Sequence, residues 1–290
     1  MADQKKIDKV TGVETTGHVW DDDLQELNNP MPKWWLYIMY ATIIWSIGYM
    51  VADPAWPLAS DYTRGVLGYS QRQVVMDQVA AGRAAQAEFR DAIAQAELNE
   101  IQQNPELLEF ALAGGAAAFG DNCAPCHGRG AQGFKGYPNL NDDDWIWGGD
   151  LEAVHTTIRH GIRNADEDSR QSDMPKFGQE QLLDKGQIND VAEYVLSLSG
   201  AATDQEAVGR GAEIFAEQCS SCHGENGAGN TELGAPNLAN GIWLYGGDKK
   251  DVVQSIHTGR GGVMPPWHTR LDDVTLKQLA VYVHSLGGGQ

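Results

Sequence analysis

The sequence predicts an all-α protein, with one N-terminal transmembrane helix followed by two tandem helical domains. Three observations predict it. Residues 34–52 form an uncharged run of 19 residues that opens on Trp34-Trp35 and closes on Met50-Val51-Ala52. Residues 113–200 and 201–290 repeat one pattern of glycines, aromatics and cysteines. Between run and repeats, Val75, Val79, Phe89, Ile93 and Ile101 recur at helical spacing.

Residues 1–33 are polar, with Lys5, Lys6 and Lys9 near the start and an acidic run at Asp21, Asp22 and Asp23. No secretory signal with a small-residue cleavage site stands there, and the run after it reads as an uncleaved anchor. As a helix, residues 34–52 would extend about 28 Å, close to the hydrocarbon thickness of a bilayer. Lys33 bounds the run on one side and Asp53-Pro54 on the other. Trp34, Trp35, Tyr49 and Trp56 stand where an interfacial aromatic belt is expected. A core helix of a soluble protein would keep a polar face, and this run has none. Flanking charge does not orient it, because Lys33 on one side faces Arg64 and Arg72 on the other.

Residues 53–112 form a helical connector. Pro54, Pro57 and Gly65 make its start irregular, helices are expected between about 71 and 103, and Asn104-Pro105 reads as an N-cap followed by proline at the first helical position. Its apolar surface is too small for it to fold alone. It is expected to lie on a partner or on the following domains, with a plain spacer as the competing view.

In each repeat a glycine and a phenylalanine precede the first cysteine by eight and four residues: Gly115 and Phe119 before Cys123, Gly211 and Phe215 before Cys219. Each pair therefore shares one helix face. After the cysteines come Pro138-Asn139-Leu140 and Pro236-Asn237-Leu238, then Trp145 and Trp243 ahead of Gly-Gly-Asp. Each repeat closes with an apolar helix, Val191–Leu198 and Leu279–Leu286, and residues 200–206 read as the linker. Domains of this size have small cores and benefit from added cross-linking.

The cysteines supply the chemistry. Cys123-Ala-Pro-Cys126-His127 and Cys219-Ser-Ser-Cys222-His223 are attachment signatures of c-type haem. Thiols at i and i+3 of a helix reach one porphyrin edge, and the adjacent histidine can ligate the iron. Of the seven methionines only Met174 and Met264 lie beyond Cys123, each before a proline and each following one attachment site. A thioether opposite histidine is the ligation of electron-transferring cytochromes and raises the reduction potential. Two covalently bound haem c groups are expected, held by Cys123, Cys126, His127, Met174, Cys219, Cys222, His223 and Met264. A single Cys-x-x-Cys could be a redox dithiol or half a zinc site, but two copies followed by His and Met-Pro argue against that. Haem attachment in bacteria takes place outside the cytoplasmic membrane. The N-terminus is thus expected in the cytoplasm and the haem domains in the periplasm, with the chain held in the inner membrane.

Other residues carry less. His155 and His160 are alternatives to Met174 as a distal ligand; His18 lies before the span, His257 and His268 lie in the haem half, and His284 reads as a surface or packing residue. Arg159, Arg163, Arg260, Trp145 and Trp243 could neighbour haem propionates or make ordinary loop contacts. No catalytic constellation of serine, histidine and acid, no carboxylate pair and no phosphate cradle stands out. The formal charge of −19 is spread along the chain, with 16 acidic and 8 basic side chains in residues 1–112 and 24 and 13 in the rest. This excludes nucleic acid as a partner and suits a basic protein donor, with solubility as the plain alternative.

The repeats resemble class I cytochrome c domains. The resemblance implies that opening and closing helices cross at Gly115, Phe119 and Tyr194 in the first and at Gly211, Phe215 and Tyr282 in the second. It also implies that the Pro138 and Pro236 carbonyls accept the ring N–H of the proximal histidines. The whole chain resembles the dihaem subunit of cbb3-type cytochrome c oxidases, through Trp20-Asp-Asp-Asp-Leu-Gln-Glu-Leu-Asn28-Asn29-Pro30-Met-Pro32-Lys-Trp34-Trp35, a single span, Gly65-Val-Leu-Gly68-Tyr69 and the two repeats. That implies a non-catalytic electron-transfer subunit of a proton-pumping terminal oxidase. It would pass electrons from a donor cytochrome c to a monohaem cytochrome subunit and on to a haem–copper catalytic subunit, beside a small membrane subunit. The rival expectations are a membrane-anchored shuttle and a dihaem peroxidase with one labile haem.

Overall fold

A computed structural model describes residues 6–21 and 23–287; Lys5 and Asp22 lie outside them. The chain divides into two compact units, Met1–Ala84 and Ala85–Gln290.

In the first unit β1 (Thr15–Trp20) pairs antiparallel with β2 (Leu24–Leu27), Trp20 opposite Leu24 and Thr15 opposite Leu27. This small sheet departs from the purely helical expectation. Its sequence basis is the β-branched and aromatic content of Thr15-Thr16-Gly-His-Val19-Trp20, next to the aspartates, which favour turns. The uncharged run becomes α1 (Lys33–Ala52), 20 residues with none buried. Its length and composition suit a membrane crossing, and lipid would cover a surface that the protein leaves bare. The chain then folds back on the end of α1: Val66 N–H donates to Val51 O at 2.9 Å and Leu67 N–H to Ala52 O at 3.0 Å. Two terminal carbonyls are thereby satisfied. Gly65 makes the approach, with φ +69° and Ala52 O where a Cβ would sit. α2 (Gln71–Ala85) follows with no buried residue.

The second unit starts with α3 (Ala87–Gln95) and α4 (Leu98–Gln103), which bury Ile93, Leu98 and Ile101. This part of the connector is not a free spacer: Lys277 Nζ donates to the carbonyls of Ile93, Ala94 and Ala96 at 3.2, 3.1 and 2.6 Å, closing the C-terminal end of α3. Asn104 caps α5 (Pro105–Asn122) by accepting from Glu106 N–H and Leu107 N–H, with Pro105 in the first turn. Then come α6 (Ala124–His127), α7 (Leu151–His160), α8 (Lys185–Leu198), α9 (Gln205–Gln218), α10 (Ser220–His223), α11 (Lys249–Thr258) and α12 (Asp273–Ser285).

Helix pairing corrects the expectation that each repeat closes on itself. α5 packs on α12 and α8 on α9, so opening and closing helices are exchanged between the repeats. A Cβ on Gly115 would strike Gln278 O, and one on Gly211 would strike Asp190 O. Phe119 lies against Tyr282, ring centres 5.5 Å apart, and Tyr194 against Phe215 at 4.9 Å. The Gly/Phe and Tyr features are the same in both repeats, so either pairing satisfies them; connection length decides. Only residues 199–204 separate α8 from α9, which makes an antiparallel helical hairpin. Buried Glu193 holds that turn, accepting from Thr203 N–H at 2.7 Å, Thr203 Oγ1 at 2.9 Å and Asp204 N–H at 3.1 Å while pairing with Lys249 at 2.7 Å.

Two cores result. One joins Phe119, Cys123, Val154 and Ile158 with Leu276, Leu279 and Val283. The other joins Phe177, Val191 and Val195 with Phe215, Val252 and Ile256. Between them the chain crosses twice. Ile162 and Met264 exchange backbone hydrogen bonds at 2.9 and 3.0 Å, and Met174 N–H donates to Arg260 O at 3.0 Å.

Candidate haem-binding site

α5 ends at Cys123, which starts the turn α6; α9 ends at Cys219, which starts α10. The helical turn puts Cys126 and Cys222 three residues on, the same face as their partners. Cys123 is buried, Cys219 and Cys222 are half-buried, and Cys126 is exposed, at the rim. Burial pushes the Cys123 and Cys219 thiols up to about 11, with the second cysteine of each pair adding to the effect.

The proximal histidines are oriented as the resemblance implied. His127 Nδ1 lies 3.1 Å from Pro138 O and His223 Nδ1 lies 3.0 Å from Pro236 O. A carbonyl can only accept, so Nδ1 carries the proton and Nε2 keeps its lone pair for a metal. Burial lowers the pKa of both rings and the proline carbonyl partly opposes it, so both are neutral donors at pH 7. Positive φ at Gly128 (+83°) and Gly224 (+76°) turns the chain straight out of each helical turn toward those prolines.

One continuous cavity of about 620 Å³ is lined by all eight residues singled out from the sequence: Cys123, Cys126, His127, Met174, Cys219, Cys222, His223 and Met264. Its walls are mainly apolar, with Phe119, Val154 and Ile158 at one end and Val191, Phe215 and Val252 at the other. Thiol pairs at the wall, a neutral imidazole nitrogen beside each and an apolar interior fit haem c. The methionines are distributed against expectation. Met264 packs with the core that contains Cys123 and Phe119, and Met174 with the core that contains Phe215 and touches Cys219. The double crossover carries each methionine past its own repeat's attachment site to the other.

Trp145, Trp243, Arg163 and Arg260 also line the cavity, whereas Arg159 pairs with Asp273 at 2.7 Å. His155 and His160 do not line it, and a ring nitrogen of His160 is engaged by Asp166 at 3.1 Å. Sequence reasoning missed Trp147 and Tyr245, which wall the cavity across the repeats. Trp147 covers Gly234, where no Cβ would fit, and Tyr245 covers Gly136. Arg260 stacks on Tyr245 at 4.2 Å, and Arg163 and Arg170 flank Trp147 at 5.7 and 5.5 Å. The signal was present as a second aromatic two residues after each tryptophan, ahead of Gly-Gly-Asp.

An attachment turn after a helix crossing, a proline-held histidine and a methionine on the same core define the chain as a c-type cytochrome joined to a helix long enough to cross a membrane. Comparison with known sequences places it more narrowly. Residues 110–195 and 206–283 match the family described as cytochrome c oxidase, cbb3-type, subunit III, and residues 12–60 match the N-terminal domain of cytochrome oxidase-cbb3, FixP. The chain is 56% identical over 285 residues to the cbb3-type cytochrome c oxidase subunit FixP of Azorhizobium caulinodans, covering 98% of this chain and 96% of that one. It is 53% identical over 294 residues to the subunit CcoP of Azospirillum brasilense (99% of each chain) and 52% identical over 292 residues to FixP of Sinorhizobium medicae (100% of each). The chain belongs to the family of cytochrome c subunits of cbb3-type oxidases.

Proposed function

We propose that the chain is the electron-input subunit of a cbb3-type oxidase and carries two haem c groups ligated across the repeats. Cys123, Cys126, His127 and Met264 would hold one; Cys219, Cys222, His223 and Met174 would hold the other. The observation that carries this reading is the sharing of one apolar cavity by both attachment sites, each with the other repeat's methionine on its core.

Haem supplies reversible one-electron chemistry at iron. The protein residues do the rest. Thioether bonds from the cysteines fix position, and the Pro138 and Pro236 carbonyls lock the tautomer and tilt of each imidazole. Methionine sulfur favours the reduced state, and apolar walls exclude water and limit reorganisation. A histidine and a methionine would be available to hold each haem, which suits electron transfer and assigns oxygen reduction to the haem–copper subunit rather than to this chain. Both sites opening on one cavity favours passage of electrons between them and on to the monohaem cytochrome subunit. The negative charge suits a basic donor cytochrome c. α1 anchors the chain beside the small membrane subunit, N-terminus cytoplasmic, haem domains periplasmic.

Purification in mild detergent tests this. The polypeptide should copurify with a subunit containing haem b and copper, and a pyridine haemochrome assay of the separated chain should give two haem c per polypeptide. Isolation of the chain alone, or one haem, would sink the reading.

A further inference from the structure

We propose that His160, Asp166 and His268 form a binding site for a divalent transition-metal ion of the Zn²⁺/Cu²⁺ class, separate from the haem cavity. His160 is the last residue of α7, Asp166 lies in the loop that begins the first crossover, and His268 lies in the segment returning from the second repeat. One donor atom from each lies within 4.8 Å of the others. Asp166 uses both oxygens: Oδ1 is 3.1 Å from His160 Nδ1 and Oδ2 meets His268 Nε2. Ligand atoms around a tetrahedral metal at about 2.0–2.1 Å stand roughly 3.3 Å apart, so small ring and carboxylate movements admit an ion. Among the described residues no other group of three His, Cys, Asp or Glu converges in this way.

Two imidazole nitrogens and one carboxylate suit Zn²⁺ and Cu²⁺ better than Ca²⁺ or Mg²⁺, which take oxygen ligands. The side chains are 19%, 11% and 32% exposed for His160, Asp166 and His268, so the site is shallow enough for an ion to reach. Exposed Asp168, with Oδ2 3.9 Å from His160 Nδ1, or a water would complete the coordination.

The supporting bonds keep the carboxylate in place. Asp168 N–H donates to Asp166 Oδ1 at 2.9 Å, and Asp166 N–H donates to Asn164 Oδ1 at 2.8 Å. The Asn164 amide donates at 2.8 Å to both His160 O and Met264 O. An ion here would therefore tie the first repeat to the return segment, four residues from Met264, and stiffen that segment. The site uses no haem ligand.

The test titrates Zn²⁺ into the haem-loaded full chain in detergent after chelator treatment, read by calorimetry and thermal melting. Wild type should bind one equivalent at this site and melt higher with Zn²⁺. Asp166→Asn and His268→Gln should each weaken that binding more than about tenfold and abolish the melting shift, while His18→Gln should leave both unchanged. If Asp166→Asn fails to retain haem, His268→Gln, at the more exposed position, decides. No saturable Zn²⁺ binding by wild type, or equal affinity in the ligand variants, would overturn the proposal and leave the triad a hydrogen-bonded clamp.

Discussion

Met264 is positioned on its crossover segment by Ile162 and Asn164, and Met174 on the other by Arg260, and the consequence is measurable one residue at a time. In a chain whose second attachment site is disabled (Cys219→Ser with Cys222→Ser), Met264→His should lower the potential of the remaining haem by on the order of a few tenths of a volt. Met174→His in the same background should leave it unchanged. The opposite result would return the methionines to their own repeats. Glu193 gives a second residue-scale prediction. Its ion pair with Lys249 and the bonds from Thr203 and Asp204 hold its carboxyl down at about 2, against an ordinary 4.5. That stabilisation is complete above the ordinary value and is lost as pH falls from about 4.5 toward about 2. Glu193→Gln should cost about 1–3 kcal/mol at neutral pH, and its urea midpoint should fall less than that of wild type on acidification. Equal acid sensitivity in both proteins would remove Glu193 from the explanation.

Helices were legible one by one, their partners were not. Asn104-Pro105, the Gly/Phe spacing before each cysteine pair and the closing apolar runs all point to helices the structure contains, because caps and faces are written within a few residues. The attachment turns were legible for the same reason, since thioether chemistry needs contiguous residues. Partner choice depends on which of two equivalent surfaces arrives, and Gly115 and Gly211 present the same notch to either Tyr194 or Tyr282. The short β1–β2 pair was passed over because strands of six and four residues carry little periodicity. The His160–Asp166–His268 group was invisible, because His268 stands 102 residues from Asp166. Helix exchange makes its own prediction. A chain ending at Gly200 keeps α5, α6, α7 and α8 but loses α12 and Met264, and it leaves the α9 face of α8 bare. It should fail to give a six-coordinate, cooperatively melting haem protein; a folded monohaem cytochrome from that fragment would refute the exchanged pairing.

For the whole molecule, the two crossovers give the second unit its unity. Each core contains residues from both repeats, and cross-repeat bonds such as Lys135 to Asp251 at 2.7 Å, Asn240 to Asp144 at 2.7 Å and Gly136 N–H to Leu244 O at 2.8 Å stitch the remaining faces. The double crossover also fixes an order of assembly. Ribosomes deliver a polypeptide from its N-terminus, and multi-part proteins usually mature in that direction. Here the sulfur that packs with the first attachment site arrives 137 positions after His127 (264 minus 127), after the whole second attachment site has been made. The first pocket to be started is the last to be finished, and the nascent first repeat waits, half built, until the second has been synthesised around it.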